Sequence, residues 1–249
     1  MAPKVLIVLT SADKIVKLDK PTGWYLPELA HPYDVLEPKA ELVLASPKGG
    51  VAPLDPSSVE AFANDESSKK FLAKKELWEN TKPLKEFLGR ASEFDALFYP
   101  GGHGPMFDLV DDKDSIQLIQ EFYAAGKPVS AVCHGPIVFA NVNVDGKPLV
   151  QGRNVTGFTN VEEDHAQLTA AMPFLLEDVL KSKGANFAKA DEPWGEKVIV
   201  DGQIITGQNP ASAKAVGLAI AKAIGKRRIT SVANTAANKI TQAHKVNTT

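Results

Sequence analysis

Short continuous apolar runs alternate along this chain with segments whose apolar residues recur every three or four positions. The runs at 4–10 (KVLIVLT), 41–46 (ELVLAS), 94–100 (FDALFYP) and 128–133 (PVSAVC) are the kind of strand that a sheet buried on both faces requires. Helical periodicity fills the intervals at 27–40 (PELAHPYDVLEPKA), 114–126 (DSIQLIQEFYAAG) and 172–184 (MPFLLEDVLKSKG). Polar helices are expected over about 65–90, a long loop over 47–64, and a short strand at 153–158 (RNVTGF). The segment 197–206 (KVIVDGQIIT) predicts a hairpin turning at Asp201-Gly202. A final helix begins at Pro210 and stops at Gly225. Strands alternating with helices predict an α/β fold with a mostly parallel sheet and helices on both faces.

Composition narrows the function classes. With 249 residues, 44% of them hydrophobic and 23% charged, the chain can bury one sizeable core, and a single domain over 1–225 is expected. A formal net charge of -2 gives no global reason to expect a nucleic acid or an anionic membrane as partner. One cysteine rules out an intrachain disulfide framework and fits a reducing compartment, the cytoplasm being the expected location. No run of about 18 apolar residues exists and the N-terminal apolar run is too short for a signal peptide, so a soluble protein is expected. Residues 226–249 carry five Lys or Arg, no acid and few large apolar side chains, and read as a basic, mobile tail.

The single cysteine, Cys133, stands between the strand-like 128–132 and a helix expected from His134 onward. A strand's C-terminal end turning sharply into a helix is where open α/β sheets bind ligands, and it is the geometry of a nucleophile elbow. Ala131 and Gly135 supply the small neighbours such a turn needs. A thiol at a helix N-terminus is expected to be exposed and biased toward thiolate. A lone Cys in an apolar run is often only a small buried hydrophobe. Here the Cys-His-Gly-Pro step and a second glycine-rich strand end, Gly101-Gly102-His103-Gly104, favour a nucleophile with backbone donors for an oxyanion. No Lys-Ser/Thr follows those glycines, so a phosphate-binding loop is not indicated. No metal site is expected, because the five histidines lack an H-x₃-H pair or matching cysteines.

Taken in order, GWYLPELAHPY, YPGGHGPMFDL, AVCHGP, TGFTNVEE and DGQIITGQNPASA make the chain resemble the ThiJ/PfpI superfamily over about residues 3–225. The combination is most similar to its glutathione-independent glyoxalase branch, also called glyoxalase III or heat-shock-protein-31-like. The resemblance implies a flavodoxin-like sandwich, usually a homodimer. It also implies an activity that converts methylglyoxal to lactate without glutathione, cofactor or metal, with glyoxal as a further substrate.

Carried over residue by residue, the resemblance puts the nucleophile on Cys133 and its partner on His134. The acid beside the thiol falls on Glu28, and the acid that orients the histidine falls on Glu163. Glu162 and Asp164 flank Glu163 and remain alternatives, since a charged first helical turn accounts for any two of the three. Backbone N–H groups of Gly102 and His134 would hold an oxyanion, with Trp24 and His103 closing the pocket. The proton transfer that follows thiol attack could run through Glu28 or His134. His31 and His165 read as surface or packing residues. Ala131 stands where hydrolase elbows have Gly, which argues against esterase chemistry. A holdase chaperone and a redox sensor based on Cys133 oxidation are the competing function classes.

Overall fold

Strand β1, Lys4–Val8, shows why its sequence is apolar without interruption: Val5 and Ile7 enter one hydrophobic cluster while Leu6 and Val8 enter another. A computed structural model describes residues 2–227, and β1 lies in the interior of its principal sheet. The other strands are β2 (Glu41–Ser46), β3 (Lys82–Pro83), β4 (Ala96–Tyr99), β5 (Val129–Val132), β6 (Val198–Asp201) and β7 (Ile204–Gly207). Their spatial order is β6-β7-β5-β4-β1-β2-β3. Every neighbouring pair is parallel except the β6–β7 hairpin, which turns at the Asp201-Gly202 step expected from sequence.

Helices cover both faces. On one side, α1 (Leu26–Leu36) contributes Leu26, Leu29, Ala30 and Leu36, and a helix over 213–227 contributes Val216, Ile220 and Ile224. On the other, α2 (Lys113–Ala124) buries Leu118, Ile119 and Phe122, and the helix Leu176–Ser182 buries Leu176 and Leu180. The α2 start is fixed by Asp112, whose carboxylate accepts the Ser115 N–H at 2.7 Å. This is the flavodoxin-like α/β sandwich. The chain runs outward from β1 through β2 to β3, then returns to place β4 on β1's other side. The crevice at that reversal lies beyond the C-terminal ends of β1 and β4, next to the end of β5.

Several expectations need correction. Residues 135–139 after the elbow form a 3-10 helix, not an α-helix, so no long helix dipole points at Cys133. The expected loop 47–64 contains the helix Pro56–Ala61, started by the Asp55 side chain, which accepts the Ser57 N–H. Pro210–Ser212 is a 3-10 turn, and the last helix passes through Gly225 to reach 227 instead of stopping there. Gly225 has open space around it, so the helix meets no steric reason to end. Arg227, assigned to the tail by sequence, sits in that helix and donates to the Ala125 carbonyl at 3.2 Å. The rest of the expected tail, 228–249, lies outside the described residues.

Candidate active site

Cys133 follows the last residue of β5 with φ of 62°, a left-handed conformation that a non-glycine residue adopts only when its surroundings hold it there. The surroundings are visible. Its N–H donates to the Gly207 carbonyl at 3.0 Å, continuing the β5–β7 ladder, and its own carbonyl accepts the Phe158 N–H at 2.8 Å. Two backbone bonds on opposite sides thus pin the turn while the side chain is aimed at the crevice. The nucleophile elbow expected from sequence is present, but the thiol is buried, with 4% of the residue exposed.

Glu28 approaches from α1, in the first turn of the helix. It is fully buried, and its Oε2 accepts the Gly101 N–H at 2.9 Å. Its other oxygen, Oε1, is buried without a hydrogen-bond partner, so no donor there stabilises a carboxylate charge. Burial pushes the Glu28 carboxyl up to about 8, against the opposing hydrogen bonds of the Cys133 thiol and the Gly101 N–H, and the group is neutral at pH 7. The Cys133 thiol is pushed well up, first by burial and then by the nearby Glu28, with the Gly102 N–H acting the other way. The resting thiol is therefore protonated, contrary to the thiolate bias expected from a helix N-terminus.

Glycines let these groups meet. A Cβ on Gly101 would lie 2.6 Å from Glu28 Oε2 and 2.8 Å from the Cys133 Cβ. Gly102, at φ of 90°, would put a Cβ 2.3 Å from the Gly23 carbonyl oxygen.

His134 is 1% exposed, and its Nε2 lies 2.6 Å from Glu163 Oε2. Burial, then the neighbouring His103, holds the imidazole below its ordinary value, so it is neutral. An ionised carboxylate can only accept, so the single ring proton is on Nε2 and Nδ1 is bare. That bare nitrogen faces Cys133 Sγ at 3.5 Å, where it can take the thiol proton. Glu163 is buried too, which opposes its charge, yet the two histidines bonded to it hold it well below the usual carboxylate range. The second of these is His103, whose Nε2 reaches Glu163 Oε1 at 2.8 Å. The His103 and His134 rings stand 4.2 Å apart.

Glu162 has a different job. Its Oε2 accepts from the Thr159 N–H and hydroxyl, closing a capping box, and its Oε1 accepts from Trp194 N, Gln208 Nε2 and Asn209 Nδ2 at 2.8–2.9 Å. Asp164 bonds Thr169 near the surface. Of the three consecutive acids, only Glu163 reaches the imidazole.

The crevice encloses a cavity of about 160 Å³, smaller than the ~300–1,000 Å³ that drug-sized ligands fill. Cys133, Glu28, His134, Gly102 and His103 line it. Trp24 does not. Its side chain is fully buried against Phe71 and Trp78, and its indole N–H donates to the Ala52 carbonyl, so its role is packing behind the site. Tyr25, Phe158 and Trp194 supply the aromatic wall instead, and none was singled out from sequence. Tyr25 was one position away from the expected residue. The pleat of the chain at 24–25 decides which ring faces inward, and the aromatic doublet alone does not reveal it. His31 pairs with Asp65 and His165 accepts from Trp194, both away from the thiol.

The DJ-1/PfpI family model matches residues 27–223. Glyoxalase 3 of Candida albicans is 36% identical over 228 residues, spanning 84% of this chain and 93% of that protein. The glutathione-independent glyoxalase of Saccharomyces cerevisiae is 34% identical over 226 residues, spanning 86% and 94%. Among solved structures, glyoxalase III from Candida albicans superposes with a TM-score of 0.81 at 32% identity, covering 89% of this chain and 97% of that one. The Rapid Encystment Protein of Francisella tularensis superposes at 0.84 with 35% identity, covering 89% and 99%.

Proposed function

This chain belongs to the DJ-1/PfpI family, and from that premise we propose that it is a glutathione-independent glyoxalase acting on methylglyoxal through Cys133. The observation that carries the reading is the placement of one thiol between two proton-handling groups of opposite kind. Glu28 offers a proton and the bare Nδ1 of His134 accepts one.

The reaction follows from these groups. His134 Nδ1 takes the thiol proton as Sγ bonds to the aldehyde carbon, and the aldehyde π pair moves to oxygen. The N–H groups of Gly102 and His134 receive that oxyanion, which is then protonated to a hemithioacetal. The C1 proton is removed, giving an enediol, and a proton returns to C2, so that C1 becomes a thioester carbonyl and C2 bears hydrogen and hydroxyl. Water then cleaves the thioester, releasing lactate and restoring the thiol. Over the cycle one water is consumed and no external oxidant or reductant is needed. Glu28 gives its proton to the oxyanion and, as the carboxylate so formed, moves the proton from C1 to C2, while His134, held by ionised Glu163, cycles the thiol proton. His103 holds the second oxygen of Glu163 and bounds the cavity.

The small cavity with its aromatic rim suits a three-carbon dicarbonyl. A homodimer follows from the resemblance, and a cytoplasmic location from the single cysteine. Among the described residues no helix is long and apolar enough to cross a membrane. The deciding experiment supplies purified protein with methylglyoxal, without glutathione, and follows lactate and its stereochemistry. Lactate that disappears in Cys133→Ala is the expected result, and a folded wild-type sample that makes none overturns the reading.

A further inference from the structure

Three segments distant in sequence converge on one carboxylate. His103 follows β4, His134 follows β5, and Glu163 lies in the helix Asn160–His165. Both imidazoles present Nε2 to Glu163, at 2.8 and 2.6 Å, and one ligand-capable atom from each of the three residues lies within 4.8 Å of the others. Two histidines and one carboxylate form a donor set that four-coordinate Zn²⁺ accepts, with its fourth position left to water. Imidazole also suits Co²⁺, Ni²⁺ and Cu²⁺, whereas Mg²⁺ and Ca²⁺ favour oxygen donors. His103 lines the cavity and its side chain is 13% exposed, so an ion has a route to the cluster. The donors need little movement. Around a centre with bonds of about 2.0–2.1 Å, neighbouring ligand atoms stand somewhat farther apart than the present nitrogen–oxygen contacts, and Glu163 need only swing aside.

We propose that His103, His134 and Glu163 bind a divalent transition-metal cation of the Zn²⁺ type, and that its binding switches off the thiol chemistry by reversing the tautomer of His134. A neutral imidazole has one N–H. A cation on Nε2 requires that nitrogen's lone pair, so the proton leaves Nε2 and is taken up on Nδ1 through solvent. The atom 3.5 Å from Cys133 Sγ then changes from acceptor to donor and can no longer remove the thiol proton. At the same time Glu163 exchanges two N–H donors for the cation. No bond to sulfur forms, no electron is transferred, and the protons displaced from Nε2 pass to Nδ1 or to solvent.

The rival geometry is specific. Zn²⁺ could instead bind Cys133 thiolate and His134 Nδ1, leaving His103 and Glu163 out of the coordination sphere. The inhibitory half of the proposal rests on the glyoxalase reading, but the binding half does not, so binding is read without turnover.

The full chain is titrated with Co²⁺, whose visible ligand-field bands report four-coordination, and Zn²⁺ is then used to displace it. One Co²⁺ per chain is expected, without a thiolate-to-cobalt charge-transfer band. Cys133→Ala should keep its affinity within about threefold, since the thiol is no ligand. His103→Gln and Glu163→Ala should each weaken binding by about 10²-fold or more, at least the upper end of what disturbing a ligand's support alone does. His31→Ala, paired with Asp65 elsewhere, should bind as the wild type does. Zn²⁺ should lower lactate formation in step with occupancy, and iodoacetamide should alkylate Cys133 more slowly as His134 loses its free acceptor. A thiolate band, loss of binding in Cys133→Ala, wild-type affinity in folded His103→Gln, lactate formation unchanged at Zn²⁺ saturation, or no saturable Co²⁺ binding would each overturn the proposal. Wild-type protein that makes no lactate would sink the glyoxalase reading, and the cobalt spectrum and the Cys133→Ala titration would still judge the site.

Discussion

Glu28 and Glu163 are both carboxylates shut away from water, at 0% and 2% exposure, yet they finish in opposite states. Burial pushes each toward the neutral acid. Glu28 has one backbone N–H and a thiol to resist that push, and remains protonated, with its carboxyl at about 8. Glu163 has an imidazole on each oxygen and stays ionised. Burial therefore does not by itself decide a carboxylate's charge; the donors built around it do. Environments that push two acids apart assign them different work, one as a proton source and the other as a fixed anion behind a base.

The harshest test removes what lies between them. Cys133→Ala should abolish lactate formation, with a modest change in melting temperature, because the buried sulfur makes few bonds. A large fall in melting temperature with turnover retained would show that the thiol is only core. Glu163→Gln should come next. Without its charge it cannot hold the Nε2–H tautomer, and kcat should fall by about 10³-fold or more, in the range seen when a triad acid is made an amide. An unchanged kcat would mean that His134 needs no anion behind it.

Glu28→Gln should lower lactate formation by about 10²-fold, the scale of a lost general acid–base group, while alkylation of Cys133 changes far less. If both rates survive, His134 alone handles the protons. The same variant probes stability. The Glu28 carboxyl is at about 8 when folded against an ordinary value of 4.5, so between those values the folded state holds a proton that the unfolded state has lost. The stability this group contributes is complete below about 4.5 and declines as pH rises toward 8. At pH 7, Glu28→Gln should thus be more stable than wild type by roughly 3 kcal/mol, an advantage that vanishes near pH 4. Denaturant titrations at the two pH values measure it, and equal stability at both would refute a neutral buried Glu28.

The smallest effect on catalysis belongs to Glu162→Gln, the neighbour of Glu163. An amide cannot accept from all five donors, so melting temperature should drop clearly. In the folded fraction kcat should stay within about threefold and KM should rise, because Glu162 holds the Trp194 backbone at the cavity wall. A kcat loss matching that of Glu163→Gln would erase the distinction between the two.

Much of this was legible in the chain. Predominantly apolar runs marked β1, β2, β4 and β5, since strands covered on both faces have few polar positions, and the buried Ser130 of β5 donates to the Leu97 carbonyl. Asp201-Gly202 marked the hairpin. A cysteine after such a run marked the elbow. Register in TGFTNVEE pointed to Glu163, although only coordinates separate it from Glu162, because both acids satisfy the local helix start and differ only in what faces them. Trp24 was misread for the same reason: two adjacent aromatics look alike until packing sends one to the core and the other to the cavity.

What sequence alone determined is what local physics determines: strand and helix periodicity, the turn at Asp201-Gly202, and a thiol at a strand end. Tertiary structure decided the rest. It buried Cys133 and kept it a thiol, left Glu28 Oε1 without a partner, and ended the expected helix dipole in a single 3-10 segment. It also joined His103 and His134 on one carboxylate, 60 and 29 residues away along the chain. Ionisation and ligand geometry depend on which groups meet across the crevice and how much water is left between them, and neither is a property of neighbouring letters in a sequence.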